Sequence, residues 1–367
     1  MSDLSEAIVS APVLVLTGAG ASVPLGKATT EGFMERVAGL PLGDQLLGVF
    51  QSVRGACAPS EGVQTVDIEV VLDHLAACSE AGETLLGDPN FRAALFGSNP
   101  PQRQIETLLE EYRDLREALL DEVVRHYGEV AGRPAAALYR PLLATIPQGL
   151  KAWTLPVFTL NYDLAVESAT EGLRLRLVDG INRRAVVNRT WSPAQFHTFR
   201  GYKSITVVLF KLHGSVSWCA DERGTVGEVV GPHRDPRPLK HVLLYPSLRS
   251  KNLQGEPWST AYGYLGACLG RAKVAVIIGT SLRDAQLVDT LKSALADNTA
   301  LTLVFLDPSS DHEGWAARLG IEPSRVFAVA APFAGRPAAR FVARLACGLA
   351  RGHIAYGGRT WGRPQRP

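Results

Sequence analysis

The sequence predicts an α/β protein built on a doubly wound, mostly parallel sheet with a helical insertion. Three observations carry this expectation. Apolar runs of strand length recur along the 367 residues, helical patterns lie between several of them, and the first run ends in a glycine turn. Alternating strands and helices argue for parallel pairing through crossovers. Continuous apolar runs argue for strands buried on both faces.

The first strand is Val13–Thr17, and Gly18-Ala19-Gly20-Ala21-Ser22 follows it. Gly18 and Gly20 allow a sharp turn and close approach of the backbone to a ligand. A helix is expected next, with its free N–H groups facing the turn, which makes a phosphate site. An ordinary tight βα turn is the alternative. Two familiar glycine motifs fit badly. The dinucleotide fingerprint needs glycine where Val23 stands, and the P-loop needs glycine at Ala21 and Ser or Thr at Ala28.

From about residue 27 to 150 no convincing strand is found. Ile105, Leu108, Leu109, Tyr112, Leu115, Leu119, Val123 and Tyr127 form one apolar face of a helix over Arg103–Tyr127. Asp67–Ala77 and Pro134–Ile146 also read as helices. This insertion is expected to cap a ligand site or supply an oligomer interface. Further strands are predicted at Val157–Thr159, Ile205–Leu212, Val242–Leu244, Val274–Gly279, Leu301–Leu306 and Arg325–Ala331. Helices are predicted at Trp258–Leu269 and Ala285–Ala296. Arg183–Tyr202 and Asp221–Lys240 read as long irregular segments, the second holding Pro232, Pro236 and Pro238. The α/β domain is expected over residues 1–333. Residues 334–367 hold a helix, Ala338–Ala350, and a basic tail from Arg351 that is expected to be disordered.

Composition narrows the function. With 46% hydrophobic and 20% charged residues the chain is globular. A net charge of +2 does not favour nucleic acid, so Arg183, Arg184, Arg189 and Arg200 read as a solvated loop. Cys57, Cys78, Cys219, Cys268 and Cys347 show no C-x-x-C spacing, which points to reduced thiols, a cytoplasmic protein and no metal site. No basic leader and no apolar run of membrane-spanning length is present.

Three later motifs fall at predicted strand ends, where α/β proteins place ligands. They are Thr159-Leu160-Asn161-Tyr162-Asp163, Lys211-Leu212-His213-Gly214-Ser215 and Gly279-Thr280-Ser281-Leu282-Arg283-Asp284. Taken singly, Asn161 and Asp163 also suit a helix cap, His213 a core histidine, and Gly279–Ser281 a plain βα turn. Together with Gly18–Ser22, in this order, the motifs resemble the Sir2 (sirtuin) superfamily, specifically its bacterial SIR2-like branch.

The resemblance implies a Rossmann-like fold that binds NAD across the sheet's switch point. Gly18, Ala19, Gly20 and Ser22 match the phosphate-cradling turn. Asn161 and Asp163 match residues around the nicotinamide and its ribose, and His213 matches the catalytic histidine. Gly279, Thr280 and Ser281 match a second loop near ribose and phosphates, while Asp307 suits the adenine ribose. Two departures weigh against protein deacylation. Cys219 is the only cysteine just after the His213 motif, with Cys268 far downstream, where deacetylases carry a module of four zinc-binding cysteines. Leu25–Phe33 also lacks their G-I-P-D-F-R-type loop. The branch implies hydrolysis of NAD to ADP-ribose and nicotinamide in anti-phage defence, by a homo-oligomer or together with a HerA-type ATPase. A deacylase and a non-catalytic NAD or ADP-ribose sensor are the alternatives.

Overall fold

The computed structural model describes residues 4–40, 42–57, 66–88, 102–183, 185, 189–197, 204–221, 223–228, 240–243, 255–309, 311–334, 336–352 and 359–361. The chain forms two compact units. The first carries an eight-stranded sheet in the order β12-β11-β10-β9-β1-β2-β5-β3. Its strands are β1 Val13–Thr17, β2 Thr154–Thr159, β3 Arg176–Val178, β5 Thr206–Lys211, β9 Val274–Ile278, β10 Thr302–Asp307, β11 Val326–Ala330 and β12 Arg359–Trp361. Every pairing in it is parallel. A smaller antiparallel sheet runs β4 (Arg189–Thr190), β7 (Val226–Glu228), β6 (Gly214–Ala220) and β8 (Lys240–Leu243).

The main sheet is doubly wound: its central strands β1, β2, β5 and β9 are mostly apolar and buried at every position, so both faces must be covered. Leu14, Leu16, Phe158, Phe210, Ile277 and Phe305 fill one face. Helices Leu4–Val9, Trp258–Leu269, Ala285–Asp297 and His312–Leu319 lie within the same core. Val13, Val15, Val157, Leu209, Val276 and Val304 fill the other. There the partners are Gly132–Arg140, the π turn Pro141–Thr145, Ile146–Leu150, Ala165–Gly172 and Arg336–Ala350. Strand order reverses at β1, with β2 on one side and β9 on the other. This reversal opens the crevice where such sheets bind ligands.

The second unit is built on Ala28–His126 and is helical. Its helices are Thr30–Val37, Gly43–Ala56, Ile68–Gly87 and most of Gln102–Gly128. The expected insertion therefore divides. Its first part makes this unit, whereas Gly132–Leu150 packs on the main sheet. Inside the second unit the buried Glu122 carboxylate accepts from Arg36 and Arg125.

Several local expectations differ from the structure. No α-helix follows the glycine turn directly. Two single 3-10 turns, Ala19–Ala21 and Val23–Leu25, come first. Pro24 opens the second and Gly26, at φ 78°, ends it in the left-handed region. Within the basic tail, expected to be disordered, Arg359–Trp361 form β12 and pair with β11. Arg184, Arg200, Pro232, Pro236 and Pro238 lie outside the described residues. Among those residues, no helix is long and apolar enough to cross a membrane.

Candidate active site

The four motifs follow β1, β2, β5 and β9, which are contiguous in the sheet as β9-β1-β2-β5. Parallel pairing places all four carboxyl ends at the same edge. The crevice of the reversed strand order therefore collects residues distant in the chain, Asn161 meeting Gly18 143 positions earlier.

The two glycine loops are joined backbone to backbone. Gly18 N–H donates to Ile278 O at 2.9 Å, and Gly20 N–H donates to Gly279 O at 2.8 Å. A Cβ on Gly18 would stand 2.7 Å from Thr280 Cβ, and one on Gly20 would stand 2.8 Å from Gly279 Cα. Gly279 has φ +61°, and a Cβ there would meet Ala21 N at 2.3 Å. These glycines thus serve the contact between the loops, and the amides of Gly18 and Gly20 are already engaged. Ala19 sits at the mouth of the turn, and Ser22 is buried beneath it.

Asn161 is fixed by this arrangement. Its Nδ2 donates to Gly18 O and to Ser22 Oγ, each at 3.0 Å. Since a backbone carbonyl only accepts, the amide orientation is settled. Both Nδ2 protons are engaged, leaving Oδ1 as the atom available to a ligand. The Asn161 backbone is held too: its N–H donates to Thr159 Oγ1, which also accepts from Thr17 Oγ1 at 2.9 Å. Below Ser22 the wholly buried Tyr139 phenol faces the same hydroxyl. Burial, then the charge of Asp163, raises its pKa above the ordinary tyrosine value.

Asp163 Oδ1 accepts from Ala165 N–H at 2.9 Å and so starts the helix Ala165–Gly172. Its carbonyl accepts from Lys211 Nζ, which also pairs with Glu167 at 2.9 Å. That buried ammonium ties the end of β5 to the loop after β2.

His213 is buried in the turn that links β5 to β6. Gly214, at φ +85°, sends the chain back as β6, so the motif that ends β5 also opens a second sheet. His213 Nε2 lies 2.6 Å from Asp284 Oδ2. Tyr262 Oη donates to the same oxygen at 3.3 Å, and the Tyr162 ring centre is 6.3 Å from the imidazole centre. Burial, then Asp284, raises the Tyr262 pKa, so the phenol stays protonated and donates.

The remaining predicted residues are less central. Thr280 is buried and its Oγ1 accepts from Leu282 N–H at 3.2 Å. Ser281 is exposed. Asp307 closes β10, and its Oδ1 accepts from both Ser309 N–H and Ser309 Oγ. Asp284, Tyr262, Lys211 and Tyr139 were not among the candidate residues. Asp284 and Lys211 at least close or open motifs visible in the sequence. Tyr139 and Tyr262 sit in helices whose pattern shows only packing.

Residues 156–324 match the family model of the SIR2-like domain. No curated protein matches the chain. Among solved structures, a Sir2 homologue–NAD complex is 14% identical, with 95% of this chain and 94% of that chain covered and a TM-score of 0.41. A mutant Sir2 homologue with ADP-ribose is 14% identical, covering 96% and 98% at a TM-score of 0.38. A Sir2 homologue mutant with 2'-O-acetyl ADP-ribose is 16% identical, covering 94% and 96% at a TM-score of 0.39. The SIR2-like match thus spans the motifs of β2, β5 and β9, with the Gly18 turn of β1 lying before it.

Proposed function

We propose that this chain is an NAD glycohydrolase: NAD and water give ADP-ribose, nicotinamide and a proton. The observations that carry the reading are the locked Asn161 and the buried histidine–carboxylate pair, both at the carboxyl ends of the contiguous strands β9-β1-β2-β5 of a doubly wound sheet. The SIR2-like match over residues 156–324 supports it.

The donor and acceptor set fits the dinucleotide. Asn161 Oδ1 is an uncharged acceptor suited to a ribose hydroxyl or the attacking water. The turn of Gly18, Ala19, Gly20 and Ser22 would line the phosphates by close backbone approach, the Gly18 and Gly20 amides being spent on the second loop, with Gly279, Thr280 and Ser281 alongside. Asp163 would meet the nicotinamide end and Asp307 the adenine ribose. NAD brings a cationic leaving group that becomes neutral as its bond to ribose breaks. The protein's part is to orient the water, keep the cleft dry and accept a proton. His213 suits the last task at neutral pH. Hydrolysis is preferred to deacylation because Cys219 is the only cysteine just after the His213 motif, where a closed zinc module needs about four ligands.

Incubation of the protein with NAD, with nicotinamide quantified by chromatography, tests the reading. His213→Ala and Asn161→Ala should each lower release at least ~100-fold while preserving the circular dichroism spectrum. Turnover at the native rate in both variants would remove the assignment. O-acetyl-ADP-ribose formed from an acetylated peptide would favour deacylation. As the role in the cell we propose a cytoplasmic anti-phage effector, acting as a homo-oligomer or with a HerA-type ATPase. Co-expression followed by gel filtration tests the partner.

A further inference from the structure

We infer that Asp284 is a positioning residue that fixes the tautomer of His213 and so decides which ring nitrogen meets the substrate. The inference rests on the glycohydrolase reading for its kinetic consequence, but its structural core stands apart from it.

The two carboxylate oxygens of Asp284 have separate tasks. Oδ1 accepts from Leu287 N–H at 3.2 Å and caps the helix Ala285–Asp297. Oδ2 lies 2.6 Å from His213 Nε2 and accepts from Tyr262 Oη at 3.3 Å. The side chains of His213 and Asp284 are 5% and 4% exposed, so water does not screen the pair. A carboxylate can only accept, so Nε2 must carry the proton. The neutral ring is then the Nε2–H tautomer, and any proton that His213 takes up goes to Nδ1. Once it does, the Asp284 charge stabilises the imidazolium in a buried setting.

The pairing is built from three separate elements. His213 comes from the β5–β6 turn, Asp284 from the loop after β9, and Tyr262 from helix Trp258–Leu269. A cap alone would need neither Tyr262 nor His213. The groups facing the imidazole include Asp284 and the Tyr162 ring, with Tyr262 reaching it through Asp284.

Asp284→Asn separates the two tasks. Asparagine caps a helix about as well as aspartate, so the fold is retained. It removes the charge and, with the amide oxygen kept on Leu287 N–H, turns an NH2 donor toward Nε2, which favours the opposite tautomer. In 15N spectra of histidine-labelled full-length protein, with His213 assigned through His213→Gln, the wild type should show Nε2 protonated and Nδ1 bare. In Asp284→Asn the population should shift toward the Nδ1–H tautomer and the ring's protonation midpoint should fall. Nicotinamide release should drop about 100-fold or more in kcat with KM within about threefold. Tyr262→Phe should keep the wild-type tautomer and lose less than about tenfold in kcat. An unchanged His213 tautomer and midpoint in Asp284→Asn would reduce Asp284 to a helix cap and overturn the inference. If the wild-type protein releases no nicotinamide, the glycohydrolase reading fails, while the 15N spectra still decide the role of Asp284.

Discussion

At the scale of single residues, the site depends on positions where no other side chain fits. Gly279 combines a left-handed backbone with a would-be Cβ at 2.3 Å from Ala21 N. Gly279→Ala should therefore cost about 2 kcal/mol or more, read as a lower midpoint in urea. Stability within a few tenths of a kcal/mol of wild type would show that the loops relax easily. Asn161 and His213 were legible because polar residues after apolar strands are conspicuous. Asp284 was visible only as the last letter of its motif. Its partner lies 71 residues earlier, and only the folded sheet brings the two together. The roles of Gly18 and Gly20 were also only half legible. The sequence shows that the backbone comes close to something there, whereas the structure shows that it is the second loop.

At the scale of elements, strands with long apolar runs announced themselves, whereas β6 (GSVSWCA) and the shortest strands did not. β1, β2, β5, β9, β10 and β11 all lie where apolar runs predict them. β3, β4, β7 and β12 have two or three residues each, and their pairing comes from neighbours. Trp258–Leu269 is predicted to the residue because its periodic apolar face is long. In the helical unit, Glu122 joins the helix Thr30–Val37 to Gln102–Gly128 through Arg36, and Arg125 braces it. Burial alone would raise this carboxyl's pKa, but Arg36 and Arg125 outweigh it and hold the value below the ordinary one. The stabilisation is thus complete above the usual glutamate pKa and is lost as pH falls through the lower native value. Glu122→Gln should be less stable than wild type by about 0.5–1 kcal/mol at pH 7, since both arginines are partly solvated. The gap should close in acid. A gap in melting behaviour that is independent of pH would exclude this ion pair as its source.

At the scale of the molecule, two cores sandwich the parallel sheet, and its central strands are shielded from both sides. Amide exchange should accordingly be slowest in β1, β2, β9 and β10 and faster in the edge strands β3 and β12. Exchange of β1 as fast as β12, measured by mass spectrometry of peptide fragments, would contradict this layout. The two glycine turns cap that slow-exchanging centre and are bonded to each other through main-chain atoms. Anyone grafting this site onto another scaffold would therefore have to transplant the Gly18 and Gly279 turns as a single part. Homologous recombination with a crossover between them would have to supply both halves from matched parents.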